Sequence, residues 1–192
     1  GTKFIVFNDP TDLHKITTKT AAVILETIQG GAGFITPKND FLSKVKERCQ
    51  EVGALLILDE IQTGIGRTGT FWGFENYQVI PDIIITGKGL GGGMPIGAFI
   101  ASFEKMSLLK VNPKLGHIST FAGHPLISAA SAATVKEITS SNLIQEALRK
   151  EKLIRNLLIH PSIKEIRGKG LMLAAFLETP ELVAKVVHKC LE

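Results

Sequence analysis

The chain has 192 residues, 44% hydrophobic and 21% charged, enough for one full core and too apolar for a disordered segment. Its net charge of +4 comes from 22 scattered Lys and Arg, without the basic and aromatic clustering that nucleic-acid binding needs. Cys49 and Cys190 show no metal-ligand or CxxC spacing, no apolar run approaches the ~18 residues of a membrane helix, and the N-terminus lacks a signal-peptide pattern. A cytoplasmic protein with no nucleic-acid and no membrane partner is expected.

In chain order, residues 20–26 form an apolar, partly β-branched run that ends near Gly30, Gly31 and Gly33. Residues 39–52 place Phe41, Leu42, Val45 and Cys49 on one helical face, with Asp40 near the start and Gly53 at the end. The run 54–58 is too uniformly apolar for a half-exposed strand and too short for a helix, so it reads as a strand covered on both faces. Residues 82–86 repeat that pattern, and 96–101 make a third candidate that a tight return at 92–95 allows to run antiparallel. Strand, helix, strand in this order predicts right-handed crossovers and an open, mostly parallel α/β sheet. Beyond Pro125 the spacing predicts helices over 126–138 and 143–158, a strand over 171–177 and a further helix from 181. The expected division is a large α/β unit over 1–140 and the start of a small α+β unit over 141–192.

Two of the apolar strands run into charged residues: the first into Asp59 and Glu60, the second into Gly87 and Lys88. Ligands of open α/β sheets bind outside the carboxyl ends of the strands, so Asp59 and Lys88 can face one crevice. On position alone, Asp59 can equally be a surface charge or helix cap and Lys88 a solvated lysine. The glycines of Gly87-Lys88-Gly89-Leu90-Gly91-Gly92-Gly93 permit close backbone approach to a group carried by the lysine. Gly87, Gly89 and Gly92 also match the GxGxxG spacing of a dinucleotide-binding turn, but Gly93-Met94-Pro95 is a poor start for the helix that such a turn should open. His117 and His124 have no metal spacing around them and read as loop residues.

Several ordered stretches together resemble one family: Leu55-Leu56-Ile57-Leu58-Asp59-Glu60-Ile61-Gln62-Thr63-Gly64, Gly66-Arg67-Thr68-Gly69, Pro81-Asp82-Ile83, Gly87-Lys88 and Gly93-Met94-Pro95-Ile96-Gly97-Ala98. Ser119-Thr120-Phe121-Ala122-Gly123-His124-Pro125, Phe7-Asn8-Asp9 and Glu26-Thr27-Ile28-Gln29-Gly30 extend the match. The chain resembles the class III aminotransferases, the acetylornithine and ornithine type in particular. The resemblance implies the large domain of fold type I and pyridoxal 5'-phosphate as cofactor, with Lys88 as Schiff-base lysine and proton shuttle. It further implies that Asp59 keeps the cofactor's ring nitrogen protonated, Gln62 bonds the ring-hydroxyl side and Ile61 packs on a ring face. Ser119 and Thr120 would serve the cofactor phosphate of a neighbouring subunit in a homodimer. The substrates would be a small-molecule amino donor and a 2-oxo acid acceptor.

Family members are about twice as long, so a phosphate-holding segment upstream and a carboxylate-binding arginine downstream are expected to lie outside these residues. Gly31 stands where ornithine-type members carry Glu, which leaves other ω-amino donors open. Three other readings stay open: an aminomutase on the same fold, a Rossmann-like nucleotide module built on Gly87, Gly89 and Gly92, and an inactive fragment.

Overall fold

The computed structural model describes residues 1–111, 114 and 116–192. Its larger sheet has the order β1-β2-β3-β4, formed by Ala22–Glu26, Leu55–Asp59, Ile83–Gly87 and Gly97–Ala101. The first three strands are parallel and in matched register, Glu26 opposite Asp59 and Asp59 opposite Ile85. Strand β4 returns antiparallel, with Gly97 opposite Gly87. The sheet is therefore mostly parallel, as expected, and the return at residues 92–95 is the tight one that the glycines permit.

Helix α1 (Phe41–Val52) carries the connection from β1 to β2. Its buried stripe of Phe41, Leu42, Val45 and Cys49 packs with Val23, Leu56 and Leu58 from the sheet and with Phe74 and Val79. Burying side chains of this size stabilises the fold by about 1.5–3 kcal/mol each. Phe7 adds an edge-on ring to Phe41 at 5.2 Å between centroids. Gly53, at φ 76°, stops the helix by turning its N–H back to the carbonyls of Cys49 and Gln50. Asp40 precedes the helix at φ 57° but makes no side-chain cap.

On β2, Leu56 and Leu58 are fully buried and Ile57, on the opposite face, is half-buried, while its β1 neighbour Ile24 is 63% exposed; among the described residues α1 and the core pack on the other side of the sheet.

After β4 come a short helix α2 (Phe103–Ser107), capped by Ser102 Oγ on Lys105 N, and the long α3 (Pro125–Ser140), which opens on proline. Helix α4 (Leu143–Leu157) leads to a hairpin of β5 (Ile163–Lys169) and β6 (Met172–Leu177), followed by α5 (Pro180–Cys190). Strand β5 is not among the expected elements; its Arg167 and Gly168 are paired with Ala174 and Leu173 of β6. Only Gly170 and Leu171 separate the two strands. Among the described residues no helix is long and apolar enough to cross a membrane.

Candidate active site

The carboxyl ends of β2 and β3 bring the predicted residues toward one another. Asp59 is the last residue of β2, and its Oδ1 accepts the backbone N–H of Ile61 at 2.9 Å. That bond curls the chain over the strand end and presents Ile61 and Gln62 to the space beyond it. On the neighbouring strand, Gly87 is extended, and Lys88 follows it at φ 40° in a 3-10 turn spanning Lys88–Gly91. This turn leads into the return to β4 rather than into an α-helix, so Gly87, Gly89 and Gly92 do not build a dinucleotide-binding corner.

Lys88, Ile61 and Gln62 line one cavity of about 260 Å³. Its remaining wall comes from Phe34 after β1, Gly64, Ile65 and Arg67 after β2, Gly89, and Leu171 and Met172 from the β5–β6 hairpin. Asp59 stands at the adjoining strand end without lining the cavity. Ser119 and Thr120 are exposed and lie outside it. A second cavity, at the start of α1 beside Asn39, Asp40, Tyr77 and Gln78, holds none of the predicted residues.

Of the seven non-glycine residues at positive φ among those described, Phe34, Ile65 and Lys88 line this cavity, while Asn39, Asp40 and Gln78 line the second one. For β-branched Ile65, at φ 57°, this conformation is especially unfavourable, and such strain gathers where a site is held in a fixed shape. Close approach matters too: a Cβ on Gly30 would stand 2.3 Å from Gln62 Nε2, so the amide keeps its place because Gly30 has no side chain. The N–H of Gly30 is accepted by the Glu26 carboxylate at 2.9 Å, which fixes that glycine against the end of β1.

Behind the cavity lies a polar layer that the sequence reading did not single out. Glu60 is 0% exposed and accepts from Thr27 Oγ1, from Gly73 N at 2.6 Å and from Phe74 N at 3.0 Å. Burial pushes its carboxyl above the ordinary value, and these three hydrogen bonds oppose the rise. Thr68 donates to the carbonyl of Thr63, and Asn76 Nδ2 reaches Thr68, Thr70 and the carbonyl of Gly73. The only cue in sequence is a carboxylate directly following the apolar run of β2 and Asp59.

The roof residues Leu171 and Met172 were also missed, since they come from the far end of the chain. Leu171 N donates to the carbonyl of Arg67 at 2.9 Å. From the other side, Glu151 accepts Gly170 N at 2.6 Å while Arg155 donates to the carbonyls of Ile166 and Gly168. Gly170, at φ 60°, fits so closely that an added Cβ would lie 2.4 Å from Arg67 O. His117 packs edge-on against Phe99, His124 precedes α3, and among the described residues no His, Cys, Asp and Glu group is arranged to hold a metal.

An amine, a carboxylate and a primary amide thus stand at the ends of two parallel strands beside a partly open cavity. This donor set suits a planar aldehyde-bearing heterocycle: the amine can bond the aldehyde, the carboxylate a ring N–H, and the amide a ring oxygen.

Comparison with known proteins agrees with this chemistry. The family model for aminotransferase class-III matches residues 7–192. The chain is 38% identical, over 95% of its own length and 48% of the relative's, to a [LysW]-aminoadipate semialdehyde/glutamate semialdehyde transaminase of Sulfurisphaera tokodaii. It is 49% identical, over 80% of its length and 34% of the relative's, to a putrescine aminotransferase of Pectobacterium atrosepticum. Among solved structures, the ornithine aminotransferase of Toxoplasma gondii superposes with a TM-score of 0.85 at 34% identity, over 92% of this chain and 43% of that one. The acetylornithine aminotransferase of Elizabethkingia anophelis gives 0.83 at 34% identity, over 97% and 48%. The chain spans about half the length of the curated relatives it matches.

Proposed function

Because the chain belongs to the class III aminotransferases, we propose that the protein carrying it moves an amino group from an amino acid or ω-amine donor to a 2-oxo acid, using pyridoxal 5'-phosphate bound through Lys88. The observation that supports this most is the position of Lys88: strained, directly after a parallel strand, and sharing a cavity with Ile61 and Gln62. The neighbouring strand contributes Asp59.

When bound, the cofactor supplies an electron sink for negative charge developing on the substrate carbon. The chain's own residues do the rest. Lys88 Nζ would hold the cofactor and would carry the proton to and from the reacting carbon. The Asp59 carboxylate holds the ring-nitrogen proton, and its orientation comes from the Ile61 N–H. Gln62 Nε2 orients the ring-hydroxyl side, while Ile61 gives an apolar surface to one ring face and excludes water. Ser119 and Thr120, exposed in a single chain, serve the phosphate of a partner subunit in a homodimer. Residues 1–140 form the cofactor-binding unit, and 141–192 belong to a small unit that roofs the cavity. Free, widely separated Cys49 and Cys190 suit a cytoplasmic setting.

Borohydride trapping of pyridoxal phosphate on the full-length protein, followed by peptide mapping, tests the reading. An adduct on Lys88 is the expected result. An adduct elsewhere, or none, rejects it.

A further inference from the structure

Glu60 is costly where it stands. It is a carboxylate with no exposed surface, and among the described residues no Lys, Arg or His pairs with it. An apolar side chain of similar size would fill the space without the desolvation penalty. What an apolar side chain cannot do is accept hydrogen bonds from separate segments of chain. Glu60 takes one from Thr27, just past β1, and two from Gly73 and Phe74, where a 3-10 segment Gly73–Tyr77 begins. Its backbone adds two more ties: its N–H donates to Ile85 O on β3 at 2.8 Å, and its carbonyl accepts Gly64 N at 3.0 Å. Five connections therefore meet at one residue, placed between Asp59 and Ile61.

We propose that Glu60 is a positioning residue, whose buried carboxylate clamps the Asp59–Ile61–Gln62 corner and thereby sets the orientation of Asp59. The link runs through the backbone. With Glu60 anchored to β3, to the residue after β1, to the 3-10 segment at Gly73 and to the turn at Gly64, the peptide of Ile61 has one direction, and its N–H meets Asp59 Oδ1 at 2.9 Å. Released, that peptide can rotate, and the Asp59 carboxylate loses the bond that aims it. The functional part of the inference rests on the aminotransferase reading above, and the structural part does not.

Two variants of the full-length protein test it. Glu60→Gln keeps the shape but points an amide N–H₂ at donor groups, so at least one of the three bonds is lost. Thr27→Val removes a single donor and leaves Glu60 in place, which covers the case in which Glu60→Gln fails to fold. Amide hydrogen exchange, followed without cofactor, is expected to show Ile61 exchanging faster together with Gly73 and Phe74, by about 10-fold in Glu60→Gln and less in Thr27→Val. With pyridoxal phosphate supplied, kcat is expected to fall about 10- to 100-fold while KM stays within about 3-fold and the Lys88 adduct still forms. Faster exchange at Gly73 and Phe74 with Ile61 and kcat unchanged overturns the proposal, since Glu60 would then only support the fold. A wild-type protein that forms no Lys88 adduct overturns the aminotransferase reading, while Ile61 exchange still decides the clamp.

Discussion

Lys88 combines a backbone at φ 40° with a place in the wall of the cavity at the strand ends, its side chain exposed in this chain. Strain of this kind costs on the order of 1–3 kcal/mol and persists only where the surroundings dictate it. Replacing Lys88 with Ala removes the amine while keeping the fold, so covalent attachment of pyridoxal phosphate is expected to vanish, as borohydride trapping with mass spectrometry would show. Asp59→Asn is a subtler change. The amide oxygen can still accept the Ile61 N–H, but the side chain no longer stabilises a protonated ring nitrogen. Cofactor binding by spectrophotometric titration should survive, whereas turnover drops by about 100-fold or more. Retained turnover would remove Asp59 from its assigned role. These two residues were readable from sequence because each directly follows an apolar strand, Lys88 among glycines. Glu60 was not readable in the same way. Its importance comes from Thr27, Gly73 and Phe74 arriving from both directions along the chain, and no local pattern reports that convergence.

At the scale of elements, β1, β2 and β3 announce themselves as short apolar runs, and α1 as a stripe of four residues at helical spacing. Strand β5 does not, because Lys164, Glu165, Arg167 and Lys169 give it a loop-like composition, and its pairing with β6 supplies what its sequence lacks. The hairpin's docking is equally hidden, being fixed by Glu151, Arg155 and Arg67 at a distance. Gly170 is the point where this docking is least forgiving. An alanine there would need φ near 60° and would press its methyl against Arg67 O. Gly170→Ala is expected to destabilise the protein by about 1–3 kcal/mol in urea unfolding, and to raise KM more than it lowers kcat by shifting Leu171 and Met172. An equal fall in kcat with KM unchanged would show that the hairpin has no part in holding substrate.

Across the whole molecule, pH acts through two buried or half-buried carboxyls of opposite sign. Asp82, just before β3, accepts Leu56 N and pairs with Lys46 of α1 at 2.8 Å and Lys105 of α2 at 3.5 Å. Burial alone would raise its carboxyl, but the Lys46 hydrogen bond, the Leu56 N–H and both ammonium charges outweigh that and hold it below the ordinary value. Its stabilisation is therefore complete above the usual carboxylate range, near pH ~4, and fades as pH falls through the lowered value. Glu60 runs the other way, since a raised carboxyl binds its proton more readily in the folded chain, and folding gains as pH falls through the raised value toward the ordinary one. Asp82→Asn is expected to lose about 1 kcal/mol at neutral pH and almost nothing in acid, as thermal melts across pH would record. A constant deficit at every pH would mean that the charge is not what matters. The hairpin carries a different kind of consequence. The groups assigned to bond breaking sit before residue 90, while the roof over them is lent by residues 171 and 172 and gripped by α4, which lies between the two in sequence. On the aminotransferase reading proposed above, the reacting groups and one part of the wall around them are thereby written in separate passages of the same chain, so a mutagenesis library over residues 170–172 can reshape that wall without touching Lys88 or Asp59.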